Sequence, residues 1–506
     1  MEESKKKWYE DFFKNPYNIL LIFILILALV IRLNYFNDNQ AVWWDEAEYL
    51  LQAKHWAFGT PNTGFGEVRP VLLSFILSIF YRLGGAEIAA RVLILVFSLL
   101  GVYLAYLIGK EMFNEETGLI TAFLLSVFYL EVFHTIRVLV DTPATTMILL
   151  VLFLFWKGYY KDKKYLYWFG LAFGLGLMMR FTTGLYAITL LIYLLITERF
   201  RFLKIKELWI SVVIALTTLI PFFIWSYRQY GDPLRPILRS GGDGLKYSIE
   251  KGFGEAIGRL TTYVTQSPFY FKTVLLVLMI VGILSFYKLI VRFDLLIKRK
   301  DPSLKKYLFL ILWVLTPLIY FSFFFHVFDV RYQLSGFPAL FIIAAIGTII
   351  IFNLLKKYNK HLALALVIIL LLFVGYQQTI FTKQVVESRS LSYVQFKHAG
   401  EWLKERTNED DVIFNTGVPQ NTYYTERETF GHGKEESFNE RLKNDKIKYF
   451  VLSRLELAPD WAYSYPQRNP EKLRVVYGCD SRICTEDINS INPNQLTLII
   501  YEFIDV

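Results

Sequence analysis

The sequence predicts a polytopic α-helical membrane protein of about eleven transmembrane helices, with interfacial helices and a small extracytoplasmic α/β domain at its C-terminus. Three observations carry this reading. The 506 residues are 54% hydrophobic and 17% aromatic, and the mean hydropathy is +0.37. Leu, Ile, Phe and Val recur in nearly uncharged runs of about eighteen residues or more, enough to cross roughly 30 Å of hydrocarbon. From about residue 385 the composition turns to that of a water-exposed domain.

In chain order, spans are expected at about 17–36, 88–109, 117–135, 142–158, 165–179, 182–198, 207–227, 271–291, 307–325, 333–355 and 361–380. No cleavage pattern follows the first run, so it is read as a span and not a leader. The run RPVLLSFILSIFYRLGG, 69–85, holds only about a dozen uninterrupted apolar residues between Arg69 and Arg82. That length suits an interfacial or re-entrant helix.

Charge supports leaving that run out. With the N-terminus in the cytoplasm, the basic loops 157–164, 198–206, 291–306 and 356–360 all fall inside. Counting the run as a span would move those four loops outside, against the positive-inside rule. The net charge of +9 is therefore read as a determinant of orientation in a cell membrane, not as a nucleic-acid footprint. Three non-helical or interfacial stretches, the first outer loop, 37–87, the turn HTIRVLVDTP, 134–143, and the glycine-rich stretch 228–270, are then expected to share the outer face, and FHVFDVRYQ, 325–333, joins them. Domains are expected at 1–384 in the membrane and 385–506 outside it.

In the outer domain YVQFKHAGEWLKERT has helical periodicity, while DDVIFNT, KIKYFVLS, KLRVVYG and LTLIIYEF read as short strands. The only two cysteines, Cys479 and Cys484, lie there in GCDSRICTE. An outward-facing domain permits a disulfide across that loop; two free thiols are the plain alternative.

The candidate chemistry begins with AVWWDEAEYLLQAKHWAFG, 41–59, where Asp45 and Glu46 sit among tryptophans at a membrane boundary. The plain reading is a pair of acids in the first turn of an amphipathic helix. The functional reading is a desolvated carboxylate whose raised proton affinity suits a general base. Asp141 in IRVLVDTPATT is by itself a good helix cap before a first-turn proline, but it opens a span on the same outer face. Four boundary arginines, Arg69, Arg137, Arg180 and Arg331, would singly be snorkelling residues; together with Tyr332 they suggest an anion pocket, since the guanidinium fork fits phosphate. No D-x-D triplet, phosphate-binding P-loop or H-E-x-x-H motif occurs. No cofactor is implied with certainty. A divalent metal stays open, with Glu67 and His326 as the candidate ligands near the outer face.

These motifs in their order resemble a known class. The DEA pair in the first outer loop, VRP before a short apolar helix, GGAEIAAR entering the next span and RVLVD opening a later one are similar to the GT-C class of membrane glycosyltransferases. Within it the branch of protein O-mannosyltransferases and lipid A aminoarabinose transferases is the most similar. The likeness is strongest over 40–200 and continues through MMRFTTG and RYQLSGFPAL. It implies transfer of a monosaccharide from a polyprenyl-phosphate donor to a hydroxyl of a lipid, glycan or protein acceptor on the outer face, with inversion. Asp45 would be the base, Glu46 would position it or share the acceptor's hydrogen bond, and Asp141 would orient acceptor or sugar. Arg69 and Arg331, backed by Tyr332, Arg137 and Arg180, would hold the departing phosphate. Many relatives carry His- or Lys-Pro-Pro at VRPV and lysine at Arg180, where arginine keeps the charge but not the geometry. A transporter or flippase is the alternative class, as is a scaffold displaying the outer domain. Transporters build on inverted repeats and broken helices in matched halves, and none is seen in this sequence.

Overall fold

The computed structural model describes residues 13–63, 68–85, 87–297, 303–325, 327–431 and 433–504, without the side chains at 241–245, 247–249, 251, 288, 293 and 297. Helix α1 (Pro16–Asn34) opens with Asn15, whose side chain accepts from the Tyr17 amide, and with proline at its first position. The interfacial helix α2 (Trp44–Phe58) ends at Gly59, whose φ of 77° needs no Cβ. The run flagged at 69–85 forms the eleven-residue α3 (Leu72–Arg82), about 16 Å long and too short to span.

Next come α4 (Glu87–Met112), α5 (Glu115–Val127), α6 (Tyr129–Thr135), α7 (Asp141–Tyr160), α8 (Tyr165–Met179), α9 (Leu185–Glu198) and α10 (Lys206–Tyr230). The single span expected over 117–135 is broken at Phe128, and α5 and α6 meet at 58°. Backbone freed inside a membrane bundle must find partners from protein. Here the fully buried Arg32 of α1 donates to the Ser126 carbonyl at 2.9 Å, and to Ser98 Oγ at 2.7 Å. Ser98 in turn donates to Glu131 Oε1 at 2.9 Å. The amide of Tyr129, at the start of α6, donates to Gln378.

The glycine-rich stretch after α10 is one long helix, α11 (Arg235–Thr265), interrupted where Gly252 takes φ 78°. Then follow α12 (Ser267–Leu284), α13 (Leu304–Phe323), α14 (Phe337–Leu355) and α15 (Lys360–Arg389), the last about 45 Å long by its residue count. Among the described residues nine helices are long and apolar enough to cross a membrane, or ten if α5 and α6 form one broken span. The remaining expected span, α8, has fifteen residues.

The C-terminal residues form a six-stranded mixed sheet in the order β2-β1-β3-β6-β4-β5. Its strands are β1 (Val412–Asn415), β2 (Glu428–Phe430), β3 (Ile447–Ser453), β4 (Leu473–Cys479), β5 (Cys484–Thr485) and β6 (Leu498–Phe503). All four strands read from the sequence are present; β2 and β5, three and two residues long, were not foreseen. Helix α16 (Val394–Lys404) covers one face, with Phe396 and Leu403 in a core with Ile413, Val451 and Ile500. Helices α18 (Glu435–Asn444) and α19 (Asp460–Arg468) cover the other. Cys479 and Cys484 are joined by a disulfide.

Helix α17 (Val418–Thr425) docks this sheet onto the membrane domain. Tyr424 Oη accepts from the Val42 amide at 2.7 Å, and Tyr423 Oη donates to Glu87 at 2.9 Å. Lys54 of α2 reaches Glu426 at 3.0 Å.

In the membrane half, glycines set the closest helix crossings. A Cβ on Gly282 of α12 would lie 1.9 Å from the Ile343 carbonyl of α14, and one on Gly347 would lie 2.1 Å from the Leu278 carbonyl. Backbone cannot rotate away, so small residues are required here. Gly282→Val is expected to cost about 1–3 kcal/mol or more and to lower the thermal midpoint in detergent. Gly254→Ala, which meets nothing within 4 Å, is expected to leave it unchanged or raised.

Candidate active site

The N-terminus of α2 turns its two acids to different work. Glu46, 1% exposed, folds back to accept from the Trp43 amide at 2.9 Å, as an acid at the third helical position does. Its other oxygen accepts from the Val138 amide at 2.7 Å. Arg137, 1% exposed, pairs with Glu46 at 3.3 Å, donates to Asn39 and stacks 3.3 Å from the centre of the Trp43 ring. Burial pushes the Glu46 carboxyl up, against Arg137 and the two amides. The plain reading of an acid in a helix's first turn is therefore right for Glu46.

Asp45 points elsewhere. It lines a cavity of about 410 Å³ together with Tyr49, Arg69, Asp141, Arg180, Arg331 and Tyr332. Asp45 Oδ1 accepts from Arg69 at 2.8 Å and Oδ2 from Arg331 at 3.1 Å. Its side chain is 29% exposed. The expectation that desolvation raises its proton affinity is overturned: burial does push upward, but Arg69 and Arg331 together hold the carboxyl below its ordinary value.

Asp141 starts α7 but makes no capping bond; the cap position belongs to Val140. Its side chain, 4% exposed, takes Arg180 Nη1 at 2.5 Å. Arg180 stands at an extended break between α8 and the 3₁₀ turn Phe181–Gly184, which frees its side chain from either helix face. Arg331 and Tyr332 sit on a second such turn, Val330–Gln333, capped by Asp329, whose carboxylate accepts from the Arg331 amide. Tyr332 is stacked on Phe321 at 4.9 Å and met edge-on by Phe325 at 4.8 Å, and Arg180 lies over its ring at 5.7 Å.

Six of the expected site residues thus converge: Asp45, Asp141, Arg69, Arg180, Arg331 and Tyr332. Two do not line the cavity. Glu46 supports the turn that carries Asp45, and Arg137 is consumed by Glu46 and Trp43, so its assignment to the phosphate group is corrected. Glu67 and His326 lie outside the described residues. Among the described residues no group of three or more histidines, cysteines or acids gathers to hold a metal. Sequence reading missed Arg239 of α11 and Tyr49 of α2, which also line the cavity. Tyr49 lies four positions after Asp45, one helical turn on, a spacing that could have flagged it; Arg239, in a stretch read for its glycines, carried no such mark. Among the described lining residues four arginines face two aspartates, an excess of positive charge suited to an anion.

The fold is that of the GT-C class of membrane glycosyltransferases. Residues 68–225 match the family described as dolichyl-phosphate-mannose-protein mannosyltransferase. The structure is similar to ArnT from Cupriavidus metallidurans bound to undecaprenyl phosphate, with a TM-score of 0.64 and 13% identity over 95% of this chain and 97% of that one. It is also similar to the archaeal oligosaccharyltransferase AglB from Archaeoglobus fulgidus in complex with an inhibitory peptide and a dolichol-phosphate, with a TM-score of 0.60 and 14% identity over 96% of this chain and 75% of that one. An uncharacterized protein of Aquifex aeolicus (strain VF5) is 24% identical over an alignment of 348 residues that covers 64% of this chain and 63% of that relative's length.

The Glu46–Arg137 pair predicts a coupled stability effect. Arg137→Met alone is expected to lose roughly 3–5 kcal/mol by stranding a buried carboxylate. Adding Glu46→Gln should restore a large part of the melting temperature in detergent. Additive losses would contradict the pairing.

Proposed function

We propose that this chain is an inverting glycosyltransferase that moves a monosaccharide from a polyprenyl-phosphate donor to an acceptor hydroxyl on the outer face of the cell membrane. The observation that carries the proposal is the single cavity in which Asp45 and Asp141 are faced by Arg69, Arg180, Arg331 and Arg239. The neighbours whose structures hold undecaprenyl phosphate and dolichol-phosphate support a lipid-phosphate donor.

In this reading the acids are counter-ions waiting for a phosphate. A donor phosphate takes up the Arg69 and Arg331 forks, which leave Asp45. Relieved of part of that positive field, the Asp45 carboxylate gains basicity as the donor seats. It then accepts the proton of the acceptor hydroxyl while that oxygen attacks the anomeric carbon from the face opposite the phosphate. The phosphate departs with the bonding electron pair and needs little protonation, so one carboxylate suffices. Arg69 and Arg331 hold the charge growing on the phosphate oxygens, where preorganised cations count most. Asp141, fixed by Arg180, orients the sugar or acceptor. Membrane and outer domains at 1–384 and 385–506, N-terminus inside, are part of the same proposal.

Asp45→Asn is expected to lower transfer from a polyprenyl-phosphate sugar by about 10²–10⁴-fold while the protein inserts and melts normally; turnover near the wild-type rate would end the assignment. The pH profile has a set sign. The ionised carboxylate is the active form and its proton affinity is depressed in the free protein. The acid limb of kcat/KM should therefore fall below the ordinary aspartate value of about 3.9, provided the fold survives there. For orientation, cysteines placed at Lys164 and at Tyr358 should react with an impermeant thiol reagent only from the cytoplasmic side. Both native cysteines are already bonded, so any labelling from outside refutes the topology.

A further inference from the structure

Two helices of the membrane half are interrupted, and the interruptions meet. The first lies at Phe128, between α5 and α6; the second lies in α12, where Lys272 leaves the helical region at φ 60° and ψ 170°. That backbone region is close to glycine-only and persists where the surroundings impose it. The ring of Phe128 stacks on that of Phe271 at 5.8 Å. Phe381 of α15 meets Tyr129 at 4.3 Å between ring centres, and Lys272 Nζ lies 3.5 Å from the centre of the Phe381 ring.

Between the breaks stands the side chain of Gln378 of α15, 1% exposed. Its Oε1 accepts from the Tyr129 amide at 3.2 Å, and its Nε2 donates to the Tyr270 and Phe271 carbonyls, each at 3.2 Å. The oxygen and both N–H groups of the amide are thus engaged by backbone on either side. Inside a membrane bundle such backbone groups have no water to turn to, so an apolar residue at 378 would strand three of them.

Each break leads to a different wall of the arginine cavity. From Tyr129 the seven-residue α6 runs into the turn whose Val138 amide meets Glu46 at 2.7 Å, and then to Asp141. Ahead of Lys272, Tyr270 and Phe271 line an apolar cavity of about 240 Å³ with Val330 and Gln333, the two ends of the turn that carries Arg331. Tyr263, near the end of α11, donates to the Asp329 carbonyl at 3.1 Å, beside the same turn. Gln378 itself does not line the arginine cavity.

We propose that Gln378 is a positioning residue that locks the break leading to Asp141 onto the break behind the Arg331 turn, so that the two walls of the cavity keep one spacing; its effect on transfer rests on the reaction proposed above. A glutamine suits the place because only a side-chain amide offers an acceptor to one backbone and two donors to the other.

The test uses the full-length chain in lipid nanodiscs, as wild type, Gln378→Met, Gln378→Glu and Val374→Ala. Val374, equally buried one turn earlier in α15, is the control for simple loss of stability. Hydrogen exchange is followed by mass spectrometry in segments 129–141 and 327–335, alongside undecaprenyl-phosphate binding and the kcat and KM of transfer from a polyprenyl-phosphate sugar. Gln378→Met is expected to speed exchange in both segments together. It should lower kcat by about tenfold or more with KM within about twofold, as misplaced reacting groups do. Gln378→Glu keeps the acceptor for Tyr129 and, when ionised, has no donor for the carbonyls. It should speed exchange in 327–335 alone, and it carries the test if Gln378→Met does not fold. Val374→Ala should melt earlier with exchange in both segments and kcat near wild type. The positioning role is overturned by a Gln378→Met that loosens one segment or neither, or that matches Val374→Ala in kcat, and equally by a Gln378→Glu that leaves 327–335 unchanged. A wild type that transfers nothing and binds no undecaprenyl phosphate removes the glycosyltransferase reading, while the exchange data still decide whether Gln378 couples the two turns.

Discussion

The fork of Asp45 between Arg69 and Arg331 is the interaction on which the rest depends. It joins residues 24 and 286 positions apart, tying the interfacial helix to the turn before α3 and to the 3₁₀ turn before α14. Charges drawn partly out of water must be paired or be lost to protonation. In the unloaded protein the aspartates do that pairing for the arginines, and the cavity is electrostatically balanced enough to fold. Its remaining positive excess is what a phosphate can use.

That balance needs a rigid floor, and Glu46 with Arg137 supplies one. The pair is nearly solvent-free, so its interaction is screened little. It fixes the first turn of α2 against the loop 136–140 that leads into Asp141. The two acids proposed for catalysis are thereby set by one buried ion pair that itself lies outside the cavity. The C-terminal sheet domain adds a second constraint, because Tyr424 holds the Val42 amide just ahead of the same turn.

Much of this was legible in the sequence. Apolar runs located the long apolar helices but not α11, which the glycine-rich stretch 228–270 hid; length and charge set 69–85 apart from the spans, and four strands were read as short apolar runs. The convergence of Asp45 and Asp141 with three arginines could be expected only from motif order, since no local pattern brings residue 331 to residue 45. What remained hidden has physical causes. Adjacent acids on a helix point about 100° apart, and which of the two enters the cavity depends on packing around Trp43. The break at Phe128 has neither proline nor glycine to announce it; it is stabilised by Arg32, ninety-four residues away from the carbonyl it satisfies. Strands of two and three residues are shorter than the period needed to recognise them.

Arginine at position 180 shows why the cavity is built from forks and not from point charges. A lysine there, as the resembling families often carry, could meet Asp141 but would offer no flat face to Tyr332. The guanidinium donates to Asp141 through Nη1 while its central carbon lies 5.7 Å from the Tyr332 ring centre, and the same ring is pinned by Phe321 and Phe325. One side chain thus couples the acid at the head of α7 to the turn that carries Arg331. Loss of positive charge at 180 would therefore release Asp141 and loosen Arg331 together, whereas an ammonium would keep the first contact and lose the second.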